Sequence, residues 1–238
     1  MKIIEGTNVS KKFGALAALK DVNFSICSDQ ILGLIGPNGA GKTTLFNVIT
    51  GVYKPEVGRI FLKGIDITGF PPYKICRLGA ARTFQTPRVF TNLSIKQNVK
   101  LAERFGKRHE SRNSKAKSLL EFVNLAHKAD KMAQDTSLFE RRLLEIAMAL
   151  ATSPDVVLLD EPLSGLSPEE LKSGMELITR IRSDLGISVF WIEHVMEAIM
   201  KVADKIIVLN AGEKIAEGTP MEIAHDKNVI EAYLGETG

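Results

Sequence analysis

Eight consecutive residues, Gly36, Pro37, Asn38, Gly39, Ala40, Gly41, Lys42 and Thr43, follow the apolar run "QILGLI" and precede a helix-forming stretch that begins with Thr44 and Leu45. This is the spacing GxxxxGK[ST]. Its glycines permit a turn whose N–H groups converge on phosphate, its lysine reaches the terminal phosphates, and its threonine hydroxyl is offered to magnesium. A helix beginning at Lys42 adds the positive end of its dipole. The bland alternative is a glycine-rich turn that binds nothing.

A second apolar run, "VVLLDEP", delivers Asp160 and then Glu161. At the carboxyl end of a strand, neighbouring acids can divide the work: the first joins the magnesium shell and the second stands beside an attacking water. A solvated acid pair ahead of a helix is the bland reading. His194 closes "SVFWIEH" and is expected at the same sheet edge as Glu161, where an imidazole can hydrogen-bond a γ-phosphate and hold the water. Gln85, in "ARTFQTP", follows a short strand and precedes a helical block, so its amide is placed to touch magnesium. Together these residues describe hydrolysis of a nucleoside triphosphate. No guanine-reading NKxD sequence is present, which argues against GTP.

These residues need a scaffold that gathers strand ends. Residues 1–85 give short β-rich runs broken by glycines, with one helix-like stretch after Lys42. Residues 94–152 turn helical, with Leu143, Leu144, Ala147, Leu150 and Ala151 on one face. Beyond them, "DVVLLD", "SVFWIE" and "KIIVLN" alternate with helical stretches, which implies a parallel sheet covered on both faces. The expected class is α/β: a P-loop nucleotide-binding core with a mostly parallel sheet, an N-terminal antiparallel β portion and an inserted α-helical subdomain. The expected division of this single domain is 1–85 and 153–238 for the core and 86–152 for the insertion.

Composition narrows the function classes. A chain of 238 residues, 45% hydrophobic and 25% charged, can bury a large core. A net charge of +3 gives no concentrated basic stripe and no argument for nucleic acid. Cys27 and Cys76 form no metal-binding cluster and fit a reducing compartment. Neither a signal-peptide pattern nor a run of 18 apolar residues occurs, so any membrane role is expected through a partner. The basic stretch from Arg104 to Lys117 reads as a solvated connector, with headgroup binding the minor alternative.

The order "GPNGAGKT", Gln85, "TSLFERRLLEIA", "LLDEP", "LSGLSPEE" and "WIEH" resembles an ATP-binding cassette, the ATPase subunit of ABC transporters, over essentially the whole chain. The resemblance implies ATP and Mg2+, and a head-to-tail pair of cassettes in which each ATP lies between one chain's phosphate loop and the other's signature sequence. Phe13 in "SKKFGA" takes the place of the aromatic that stacks on adenine, although a core role is as natural for it. "SGLS" takes the place of the loop that crosses the dimer interface, with Ser167 where the family usually has Asp. Ser137 takes the place of the signature serine, and Phe139 stands where the signature needs glycine.

Ser137 and Glu140 also spell a capping box. One reading of Phe139 is a degenerate signature making a weak contact to the partner's ATP, slightly favoured; the rival is a ring turned away from competent backbone donors. "GAARTFQTPRVFTNLSIKQNV", "IAEGTP" and "VIEAYLGE" are similar to the ATPase subunits of branched-chain amino acid importers. Urea or amide importers and the lipopolysaccharide exporter ATPase look alike. The resemblance implies a second ATPase subunit, different or identical, integral membrane permease subunits, a substrate-binding protein reached through them, and a peripheral place on the cytoplasmic face of the plasma membrane. The segment from Thr86 to Leu93 is expected to face the permease. A soluble repair or translation cassette would bring two cassettes or a long coiled-coil insertion, and a module without turnover would not need both Glu161 and His194.

Overall fold

The computed structural model describes residues 1–106 and 114–234. β1 (Lys2–Phe13) and β2 (Leu16–Cys27) form a long antiparallel hairpin, and β1 pairs on its other side with β4 (Val57–Leu62), which pairs with β5 (Ile65–Asp66). This is an antiparallel sheet of order β2-β1-β4-β5.

The second sheet runs β10-β9-β3-β8-β7-β6, built from β3 (Ile31–Ile35), β6 (Ala80–Arg82), β7 (Val156–Asp160), β8 (Ser188–Ile192), β9 (Lys205–Asn210) and β10 (Glu213–Gly218). All its pairings are parallel except that of β10 with β9. Every residue of β3, β7 and β8 is buried, as both-face coverage requires. Successive side chains alternate between two cores. Val157, Leu159, Val189 and Trp191 enter a cluster shared with the helical block, while Leu158, Phe190 and Ile192 join the antiparallel sheet and α1 (Lys42–Ile49) in another.

Between β6 and β7 lie α3 (Ile95–Ala102), α4 (Ala116–Phe122) and α5 (Leu138–Ala151). α6 (Pro168–Ser183) and α7 (Met196–Val202) follow β7 and β8. Of the basic stretch, Lys107, Arg108, Glu110 and Arg112 lie outside the described residues. Lys115 Nζ donates to Ser153 Oγ at 3.2 Å. No described helix is long and apolar enough to cross a membrane.

Two features depart from the expected string. The first 85 residues hold a second helix, α2 (Pro72–Leu78), started by proline at its first position and ended by Gly79 in the left-handed region, φ 112°. At seven residues it is too short to show a helical period. After β10, α8 (Pro220–His225) and α9 (Lys227–Leu234) close the chain; β10 is half-buried and lacks the apolar run that marks the other strands.

Candidate active site

Parallel register brings three chain turns to one edge. Ile192 pairs with both Leu34 and Asp160, so the segments leaving β3, β7 and β8 emerge together at the carboxyl ends of adjacent strands, where open α/β sheets bind ligands. The phosphate loop fills the first of these turns. Gly36 and Gly41 have φ of 149° and 101°, and a Cβ on either would come within 2.1 Å of Leu209 O or 2.5 Å of Ala18 O. Glycine is required at both by close backbone approach as well as by φ. Gly41 caps α1 without a side-chain hydrogen bond, leaving the amino end of the helix facing the loop. Lys42 is buried, its Nζ donating to Gly36 O at 2.6 Å and Pro37 O at 2.9 Å.

The loop from Pro37 to Thr44 lines a cleft of about 1180 Å³ together with Phe13, Gln85, Glu161 and His194. Phe13, at the end of β1, is 43% exposed, so it is not a core side chain. Its ring meets Tyr53 edge-on at 5.2 Å.

Glu161 is the centre of the polar cluster. Gln85 Nε2 donates to its Oε2 at 2.8 Å, and His194 Nε2 lies 2.8 Å from its Oε1. The residue sits in the left-handed region at φ 51°, with its N–H donating to Ile192 O at 3.0 Å. Asp160, next to it, is 2% exposed. Its Oδ2 accepts from Arg82 Nη2 at 2.7 Å, whereas Oδ1 is buried without a protein partner. Burial pushes the Asp160 carboxyl above the usual range, against the pull of the Arg82 guanidinium. Asp160 does not itself line the cleft, but its buried carboxylate oxygen without a protein partner, next in sequence to the cleft-lining Glu161 and with Thr43 and Gln85 on the cleft wall, suits a hard divalent cation.

Ser137 and Glu140 do not line this cleft. They form the capping box at the start of α5: Glu140 N–H donates to Ser137 Oγ at 3.2 Å and Ser137 N–H to Glu140 Oε2 at 2.9 Å. Glu140 is further tied to Lys128, whose hydrogen bond holds its carboxyl below the usual range. The box does not use the N–H groups of Leu138 and Phe139. Phe139 is half-buried and packs against the helical cluster, while its neighbour Leu138 is 50% exposed. This favours the ring turned away over the degenerate signature. Phe139→Gly is therefore expected to lower stability by roughly 1.5–3 kcal/mol, from half a ring's burial and glycine in the first helical turn, and to leave ATP turnover at the partner's site within about twofold. Thermal unfolding and ATPase rates of the assembled complex check both halves; a faster site in the glycine variant would restore the degenerate reading. Ser167, the other departure, caps α6 through Glu170, whose N–H donates to Ser167 Oγ at 3.3 Å. Serine fills there the helix-starting role that aspartate also fills.

Sequence reasoning missed four buried charges around the site. Arg82 ties Asp160 to α1, its Nη1 donating to Asn47 Oδ1 at 2.6 Å. Glu193, 1% exposed, accepts N–H groups of Leu163 at 3.1 Å and His194 at 2.9 Å, joining the end of β8 to the segment after Glu161. Burial raises its carboxyl. Arg142 and Glu145 project from α5. A charge inside an otherwise apolar run, as in "WIEH" and "LLEIAMALA", was the available signal.

The ABC transporter family profile matches residues 19–164. The chain belongs to the ABC transporter family. A second profile, branched-chain amino acid ATP-binding cassette transporter, matches residues 213–238. Relatives of this ABC transporter ATPase include the high-affinity branched-chain amino acid transport ATP-binding proteins BraF of Pseudomonas aeruginosa, 38% identical with 98% of each chain covered, and LivG of Escherichia coli K12, 37% identical with 94% of each covered. The lipopolysaccharide export system ATP-binding protein LptB of Haemophilus influenzae is 34% identical, covering 99% of this chain and 98% of LptB. The ADP conformation of MJ1267, an ATP-binding cassette of an ABC transporter, superposes with a TM-score of 0.88 at 31% identity over 99% of each chain. A dimeric cassette bound to ADP and Pi, MJ0796, does so with a TM-score of 0.81 at 25% identity over 91% of this chain and 98% of that one.

Proposed function

We propose that this ABC ATPase drives an importer of branched-chain amino acids from the cytoplasmic face of the membrane, with residues 1–85 and 153–238 as catalytic core and 86–152 as helical subdomain. The observation that carries the chemistry is the Glu161 carboxylate held between Gln85 and His194 beside the phosphate loop. Lys42 and the loop N–H groups bind the phosphates of ATP, and Phe13 stacks on its base. Glu161 takes the proton of the attacking water, and His194 hydrogen-bonds the γ-phosphate and fixes the water. Thr43, Gln85 and Asp160 would hold magnesium, which supplies positive charge to the phosphate oxygens. The amino end of α5, capped by Ser137 and Glu140, is the contribution to a partner cassette's ATP, through the N–H groups of Leu138 and Phe139 that the box leaves unused.

The substrate assignment rests on the likeness to BraF and LivG and on the match of residues 213–238. LptB keeps lipopolysaccharide export as the second reading. Docking to the permease is assigned to Thr86–Leu93. Beside this segment lies a hollow of about 320 Å³ lined by Phe84, Phe90, Phe105 and Arg88, with Phe90 50% and Phe105 58% exposed.

The complex isolated from its own membrane through a tag on this chain, and returned to vesicles together with the substrate-binding protein, is expected to contain a permease and to move labelled leucine at the expense of ATP. Lipopolysaccharide release in place of leucine uptake would select the second reading, and isolation without any integral membrane protein would reject both. In the same vesicles Phe90→Ala and Pro87→Ala should lower leucine moved per ATP several-fold with ATP affinity unchanged. An unaltered ratio removes the docking assignment.

A further inference from the structure

α5 buries an arginine and a glutamate three residues apart, Arg142 at 9% and Glu145 at 6% exposure, and burial pushes the Glu145 carboxyl up to about 7. Neither touches the cleft described above. Glu145 accepts the N–H of Phe84 at 3.2 Å on Oε2 and the N–H of Arg88 at 2.9 Å on Oε1. Its carboxylate thus straddles Gln85, with one donor before it and one after. Arg142 Nη1 donates to Pro162 O at 3.0 Å and also to Ser164 O, on the segment that leaves Glu161. One helix therefore grips two irregular loops by complementary backbone poles, N–H groups on the Gln85 side and carbonyls on the Glu161 side. Irregular backbone has no ladder to satisfy these groups, so the side chains set where the loops lie.

The two loops meet again at the reacting end, where Gln85 donates to Glu161 at 2.8 Å. A closed ring results: α5 to Glu145, to the Gln85 loop, to Glu161, to the Pro162–Ser164 backbone, to Arg142 and back to α5. Phe84 is further pinned between guanidinium groups, Arg82 at 4.9 Å and Arg88 at 4.2 Å from its ring, which limits the slack in that loop. The same helix begins at Ser137, roughly 8–12 Å along its axis from the two charges.

We propose that Glu145 and Arg142 are positioning residues for hydrolysis: through them α5 sets the separation of Gln85 and Glu161, so that a shift of the helix as a body is delivered to both loops at once. The proposal rests on the reading of Gln85 and Glu161 given above. Buried charges that merely stabilise the loops would contribute to folding and not to the coupling between α5 and turnover.

Hydrogen exchange on the full-length chain tests the bracket without reference to activity. Glu145→Ala is expected to speed amide exchange across residues 84–88 at least about tenfold, with α1 and β3 unchanged. Glu145→Gln, which keeps one acceptor oxygen and the side-chain shape, should give an intermediate rise and serves if the alanine variant folds poorly. Unchanged exchange in 84–88 overturns the bracket whatever happens to turnover. In the complex isolated from membranes, Gln85→Ala and Glu145→Ala should each lower kcat about tenfold with KM for ATP within about twofold, and the double variant should fall no further than either single. A hundredfold loss in the double variant means that Glu145 acts elsewhere and overturns the positioning role. Normal turnover in Gln85→Ala overturns the catalytic reading of Gln85, and the bracket's claim on turnover with it; the exchange result separates that failure from failure of the bracket itself.

Discussion

Glu161→Gln is expected to bind ATP as the parent does and to hydrolyse it about 10²–10⁴ times more slowly, the range associated with loss of a general base. The substitution keeps the length of the side chain and an oxygen able to accept from Gln85 Nε2, so the left-handed backbone at 161 and the site around it stay in place. What disappears is the carboxylate that accepts the water's proton. Lys42→Ala removes instead a cation from among the phosphates, so nucleotide affinity falls along with rate. Binding of a fluorescent ATP analogue and phosphate release, measured on the assembled complex, separate the two variants. Parental hydrolysis by Glu161→Gln would show that another group takes the proton.

Arg82→Met should destabilise the chain by about 3–5 kcal/mol, the loss that follows when one member of a buried ion pair is removed and the other stays charged. The Arg82 and Asp160 side chains are 6% and 2% exposed, 2.7 Å apart. Burial already raises the Asp160 carboxyl and loss of Arg82 raises it further, so the full loss is expected at alkaline pH, whereas at lower pH protonation of Asp160 relieves part of it and leaves a poorer ligand for a cation. At roughly 2–4 °C per kcal/mol for a chain of this size, the melting temperature should drop by about 10 °C. The double variant Arg82→Met, Asp160→Asn should regain most of that loss while remaining inactive. A single variant within about 1 kcal/mol of the parent would mean that the pair contributes nothing to stability.

What could be read from the sequence was what lies contiguously in it. The phosphate loop is a string of eight residues bounded by a buried strand and a helix, and Asp160 with Glu161 closes another buried strand, so their shared edge followed from the parallel-sheet expectation. Contact among Gln85, Glu161 and His194 required register, which spacing alone does not supply. Arg82 and Glu145 escaped notice because their partners stand 78 and 61 residues away, and in the case of Glu145 those partners are backbone N–H groups that no residue type announces. α2 was hidden by its length, and β10 by a half-buried, charged face beside which "KIIVLN" looked like the last strand. Phe139 illustrates a further gap. Its identity could be compared with a pattern, but the direction of its ring depends on the packing of the helical cluster.

The close approach of Leu209 O and Ala18 O to Gly36 and Gly41 reaches beyond the choice of glycine. These carbonyls belong to β9 and β2, one from each sheet, so the phosphate loop is wedged between the two rigid halves of the core. A loop confined at both ends surrenders little entropy there when nucleotide enters, although its tip at Asn38 and Gly39 stays open to solvent. The nucleotide cleft is therefore asymmetric in compliance: a stationary wall receives the phosphates, and any stroke transmitted to a partner must come from the opposite wall, where Gln85 is carried on irregular backbone and α5 stands behind it.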